Sequence, residues 1–66
     1  MAIIEWELWA VANEMIRQHG RRAIIEAGLK ITEMGDKGDR EGAETWFAIL
    51  ERILKLLKDQ PDRPVS

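Results

Sequence analysis

The chain has 66 residues, 12 acidic against 10 basic side chains, a net charge of -2, 45% hydrophobic residues and no cysteine. That balance excludes a general polyanion binder, and the lack of thiols excludes a disulfide-stapled fold while fitting a reducing, cytoplasmic setting. One short domain buries only about 60% of the surface its unfolded chain exposes, and a lone His19 builds no structural zinc site, so association is the support left.

Helical periodicity predicts three helices, over about residues 3–18, 21–34 and 40–59, in a single domain of residues 1–60 with a flexible tail at 61–66. In the first, Ile4, Leu8, Trp9, Val11, Ala12, Met15 and Ile16 share an arc of about 160°, with Glu7, Glu14, Arg17 and Gln18 opposite. Gly20 is placed to end it. Trp6 falls outside the arc, which makes it a surface lid or an interface anchor, whereas Trp9 and Trp46 sit on apolar arcs and are expected in the core.

The second segment carries two apolar stripes. Ile24, Ala27, Ile31 and Met34 form one, Ile25 and Leu29 the other, with Gly28 between them. A helix apolar over so much of its circumference is expected to lie sandwiched between neighbours. Glycine in a helix costs about 1 kcal/mol relative to alanine, so Gly28 suggests that another backbone approaches there. Gly35 is expected to end this helix, and Asp39 to cap the next through its carboxylate.

In the third helix Ala43, Trp46, Leu50, Ile53 and Leu57 recur at alternating steps of three and four, flanked by Ile49, Phe47, Leu54 and Leu56. Glu44, Glu51, Arg52, Lys55 and Lys58 make the opposite face, and Pro61 and Pro64 stop the helix. Short connections predict an all-α, up-down-up protomer, completed as a helical-bundle homodimer. The dimer or partner interface is assigned to Trp6, Ile25, Gly28, Leu29, Ile49 and Leu56.

Leu8-Trp9-Ala10-Val11-Ala12, Arg17-Gln18-His19-Gly20, Gly38-Asp39-Arg40-Glu41-Gly42 and Trp46-Phe47-Ala48-Ile49 together resemble a family of short alphaproteobacterial proteins of unknown function. Its members look like a tryptophan helix, a histidine-glycine turn and a Gly-Asp-x-x-Gly loop before a second tryptophan helix. The resemblance runs from about Leu8 to Leu57 and carries no activity with it. It implies a non-enzymatic small protein of the kind carried on prophage or other mobile DNA, where short proteins bind and block host machinery.

In an up-down-up bundle the basic residues Arg17, His19, Arg21, Arg22, Arg52, Lys55 and Lys58 would gather at one pole. Glu5, Glu7, Glu33, Asp36, Asp39, Glu41 and Glu44 would gather at the other. Arg21 and Arg22 oppose the dipole of the second helix, so with Arg17 they are a candidate basic patch for an acidic protein or a nucleic-acid backbone. The acidic pole of Asp36, Asp39, Glu41 and Glu44 could imitate phosphate, although carboxylates are also simply favoured in first turns. It lacks the ligand spacing of an EF-hand.

Catalysis finds no constellation. His19 stands alone, and the hydroxyls are Thr32, Thr45 and Ser66, so no activated nucleophile and no metal or cofactor site is expected. The apolar run at residues 1–12 is broken by Glu5 and Glu7 and predicts neither a signal peptide nor a membrane span. The sequence therefore predicts a non-catalytic protein-protein interaction module that self-associates and binds an unidentified protein as an inhibitor or adaptor. The alternative is a small dimeric nucleic-acid-binding regulator using the basic patch.

Overall fold

The computed structural model describes residues 4–59; the expected helix start at residue 3, the domain edge at 60 and the tail at 61–66 lie outside the described residues. The fold is all-α: α1 spans Glu5–His19, α2 Ala23–Asp36 and α3 Arg40–Asp59, with a 3-10 turn at Gly20–Arg22 between α1 and α2.

Each boundary has a local cause. Glu7 reaches back from the first turn of α1 to accept the Ile4 N–H at 3.3 Å, and, since isoleucine has no side-chain acceptor, the Glu7 N–H donates to the Ile4 carbonyl at 3.0 Å. At the far end Gly20 takes φ 62° and ψ -138°, a region open to glycine and nearly closed to other residues, while its N–H donates to the Ile16 carbonyl. Arg21 and Arg22, expected inside the second helix, belong instead to the 3-10 turn. Gly35 does not end α2 as expected. The helix runs through it to Asp36, and the chain reverses at Gly38, φ 76°. There the Gly38 N–H donates to the Gly35 carbonyl and the Asp39 N–H to the Met34 carbonyl, a Schellman closure that satisfies the final carbonyls.

Asp39 caps α3 as expected, its Oδ1 accepting the Gly42 N–H at 2.8 Å. A Cβ on Gly42 would lie 2.5 Å from the other Asp39 carboxylate oxygen and 3.0 Å from the Met34 sulfur, so the Gly-Asp-x-x-Gly loop ends in glycine because its own cap fills the space. A Cβ on Gly28 meets nothing within 4 Å, which corrects the expected close backbone approach within the protomer. We therefore predict that Gly28→Ala raises stability by about 1 kcal/mol, while Gly42→Ala gains nothing, because losing the cap offsets the better helix former. Urea unfolding of the two variants checks this contrast.

Packing reverses the expected order of burial. α3 lies against both other helices, and α1 and α2 touch each other only weakly, so the third helix rather than the second holds the fold together. The core consists of Leu8 and Ala12 from α1, Ala23 and Ala27 from α2, and Ile49 and Ile53 from α3. Ile49, assigned above to an interface, is 3% exposed and belongs to this core, and Leu56 packs half-buried against it. The cause lies in the alanines: α2 contributes only Ala23 and Ala27 to the fully buried core, so the larger α3 side chains Ile49 and Ile53 fill the space.

Candidate functional site

Most of the large apolar side chains lie outside that small core. Among the described residues only Ile53 is a large side chain buried completely. Trp6 is 64% exposed, Leu29 58%, Ile25 56%, Phe47 53%, Ile4 52% and Leu54 46%. Covering a large apolar side chain fully is worth about 1.5–3 kcal/mol, so six left half open forgo on the order of 6 kcal/mol.

These side chains fall on separate faces. Ile25 and Leu29 are one turn apart on the side of α2 away from Ala23 and Ala27, as the second apolar stripe predicts. Phe47 and Leu54 are two turns apart on α3, and Ile4 and Trp6 lie at the start of α1. The sequence placed Trp6, Ile25 and Leu29 at an interface, and all three are open. Gly28 is half-buried beside them. Phe47 and Leu54 were passed over as flanks of the α3 core stripe.

One polar groove joins α1 to α3. It is an open hollow of about 440 Å³ lined by Glu5, Trp9, Glu51, Arg52 and Lys55. Arg52 is its centre: Nη2 donates to Glu5 Oε2 at 2.8 Å, Nη1 donates to the Ala48 carbonyl at 3.2 Å, and the guanidinium lies 5.6 Å from the centroid of the Trp9 ring. Trp9 Nε1 donates to the same Glu5 oxygen at 3.1 Å. Trp9 is thus the half-buried wall of this clasp rather than a core residue, and Glu5 meets a cation from the opposite predicted pole. The clasp draws α1 across α3, because the cation stacks on the indole while the carboxylate holds both donors.

Hydrogen bonding from Arg52, with the nearby positive charge and the Trp9 N–H, holds the Glu5 carboxyl below the ordinary glutamate range, outweighing the opposing effect of partial desolvation. A lowered folded-state value stabilises the fold above the ordinary range, and that contribution is lost as pH falls through the lowered value. The expected result is that the melting temperature of the unaltered chain exceeds that of Glu5→Gln near pH 7 and that the gap narrows and closes as acidification protonates the Glu5 carboxylate, below the ordinary glutamate range. A gap that persists in acid would mean that the carboxylate does not hold the clasp.

The charged clusters divide in the same way. Arg17 is paired with Glu14, whose carboxyl is held low by that hydrogen bond and by Gln18. No ion pair among the described residues includes Arg21 or Arg22. Of the acidic pole, Asp39 is occupied as a cap and Glu44 pairs with Arg40 at 3.4 Å, while Asp36 and Glu41 are exposed beside them. Among the described residues no group of three or more His, Cys, Asp or Glu could hold a metal ion, and no helix is long and apolar enough to cross a membrane.

Comparison of the chain with known protein families, with characterised proteins and with solved structures gives no match. The residues themselves are therefore the basis for any functional reading.

Proposed function

We propose that the protein is a non-catalytic interaction module that works as a homodimer and holds a second protein by steric occupation of its surface. Among the described residues, six large apolar side chains about half exposed or more, against one buried completely, carry the reading. Exposed apolar groups at this density in so short a chain mark contact surfaces rather than ordinary scatter. Affinity comes from Trp6, Ile25 and Leu29 as anchors, and the flanking charges set orientation and encounter rate. A small inhibitor or adaptor encoded on mobile DNA fits this mode of action.

Affinity capture from the source organism tests it. The unaltered chain is expected to retain a partner protein that the combined Ile25→Glu and Leu29→Glu variant loses while staying helical, since both side chains are exposed. Identical retention by both proteins would overturn this assignment of the binding face.

One observation favours a second reading, a nucleic-acid-binding regulator: Arg21 and Arg22 are exposed and take no part in the ion pairs among the described residues. Phosphate contacts by these arginines would give binding that weakens steeply with salt and disappears in the Arg21→Glu, Arg22→Glu variant. Absence of binding to RNA and DNA at about 50 mM salt eliminates this reading.

A further inference from the structure

We propose that the second copy of this chain docks along the outward stripe of α3, antiparallel, with the two-fold axis passing between Leu50 and Leu54. The inference rests on the reading above, that association covers the exposed apolar surface, and it assigns that role to a different helix from the one the sequence singles out.

α3 carries two apolar stripes rather than one. The inward stripe is Trp46, Ile49, Ile53 and Leu56, at steps of three, four and three, and it is buried or half-buried in the protomer. The outward stripe is Ala43, Phe47, Leu50, Leu54 and Leu57, at steps of four, three, four and three. At 100° per residue the two stripe centres lie about 100° apart. The inward stripe meets the core; in the outward one Leu50 and Leu57 also pack half-buried against it and Ala43 is half-buried, while Phe47 and Leu54 remain open.

An average recurrence of 3.5 residues keeps a seam facing another helix along its whole length, which a surface merely tolerating stray apolar groups has no reason to maintain. Within the protomer α1 and α2 both pack on α3 and draw in Leu50 and Leu57 at the near edge of the second seam, leaving its outer edge, Phe47 and Leu54, uncovered.

The charges beside the seam select its occupant. On its solvent side Glu44, Glu51 and Lys58 recur at steps of seven, and on its other side lie Trp46 and Ile53, already used within the protomer. An antiparallel copy that sets Phe47 against Leu57 and Leu50 against Leu54 brings Glu44 of each chain beside Lys58 of the other, and two-fold symmetry makes that pair twice. Glu51 meets its own counterpart near the axis. Arg52 Nη1, 3.8 Å from the Glu51 carboxylate in each protomer, tempers that repulsion.

The neighbouring registers are worse. Setting Ala43 against Leu54 and Phe47 against Leu50 places Glu44 opposite Glu51 twice, and the shift in the other direction leaves only Leu54 and Leu57 in contact. A parallel pair would direct the charged side of the seam at Trp46 and Ile53 of the other chain and pair no charges at all. The acid-acid-base order thus fits one self-complementary arrangement, which leaves Ile25 and Leu29 free for a different protein.

Because the chain has no cysteine, single substitutions report the geometry directly. Glu51→Cys, which faces itself across the axis, is expected to form a disulfide-linked dimer at least tenfold faster than Leu29→Cys under mild oxidation. Phe47→Glu should raise the dimer dissociation constant at least a hundredfold in sedimentation equilibrium while leaving the helical circular dichroism intact, since that side chain is exposed in the protomer. Lys58→Glu should weaken the dimer about tenfold, and adding Glu44→Lys should restore it. A dimer that survives Phe47→Glu but is lost in the Ile25→Glu, Leu29→Glu variant would overturn the α3 seam and leave the self-association reading standing. A chain monomeric at every concentration would overturn both.

Discussion

Ile53→Ala is expected to leave the chain largely unfolded at room temperature. Truncating a buried isoleucine costs about 2–5 kcal/mol, the spread reflecting how far the surroundings collapse into the cavity. Here collapse is restricted, because three of the five other core residues are alanines with no side-chain freedom to fill a gap. A chain of this length has a total stability of roughly 3–10 kcal/mol, so the loss consumes much or all of it. Far-UV circular dichroism and urea titration read the result, with Leu29→Ala as the control, since that side chain is 58% exposed, lies off the α3 seam and should cost under about 1 kcal/mol. Equal urea midpoints for the two variants would mean that Ile53 is not the keystone of the packing.

The second large effect is expected from adding volume instead of removing it. Ala27→Leu places three extra carbon atoms where α2 has no accessible surface, at the methyl contact that lets α3 approach. Overpacking of a filled core typically costs about 1–3 kcal/mol, and here the added leucine would displace Ile49 and Ile53, which already fill the space beside Ala27. Ala27→Leu should therefore lower the thermal midpoint by roughly 10 °C or more in a domain of this size. The adjacent Gly28→Ala should raise it, so opposite signs at neighbouring positions separate core from surface. A neutral Ala27→Leu would show that α2 and α3 are held by something other than close alanine packing.

Much of the helical framework was legible because local chemistry marks it. The third helix begins where its cap predicts and continues to Asp59, the last described residue, and Gly20 closes the first. The turn after α2 was misplaced because Gly35 and Gly38 look alike in sequence; only Gly38 takes the positive φ, and the closing hydrogen bonds to Gly35 and Met34 fix which one reverses the chain. The orientation of α3 was not decided by periodicity, since its two stripes repeat with the same spacing. What turns Ile49 inward is the small size of Ala23 and Ala27 on another helix, a property of the pair rather than of α3.

Arg52 was hidden for a related reason. Its partner Glu5 lies 47 positions away, so no local pattern joins them. The available signal was the Glu5 and Trp9 pair at helical spacing on α1, a carboxylate and an indole on one face that invite a cation. Sorting charges into poles obscured this, because it treats helices as parallel rods, whereas the clasp ties the start of α1 to the later half of α3. The open side chains Trp6, Ile25 and Leu29 were legible because each sits off its helix's main apolar arc.

Sedimentation equilibrium of the unaltered chain over a wide concentration range tests most directly the claim that association completes this fold. The expected result is a reversible monomer-dimer equilibrium in which the thermal midpoint rises with concentration. A single species of monomer mass up to millimolar concentration, with an unfolding midpoint independent of concentration, would contradict it.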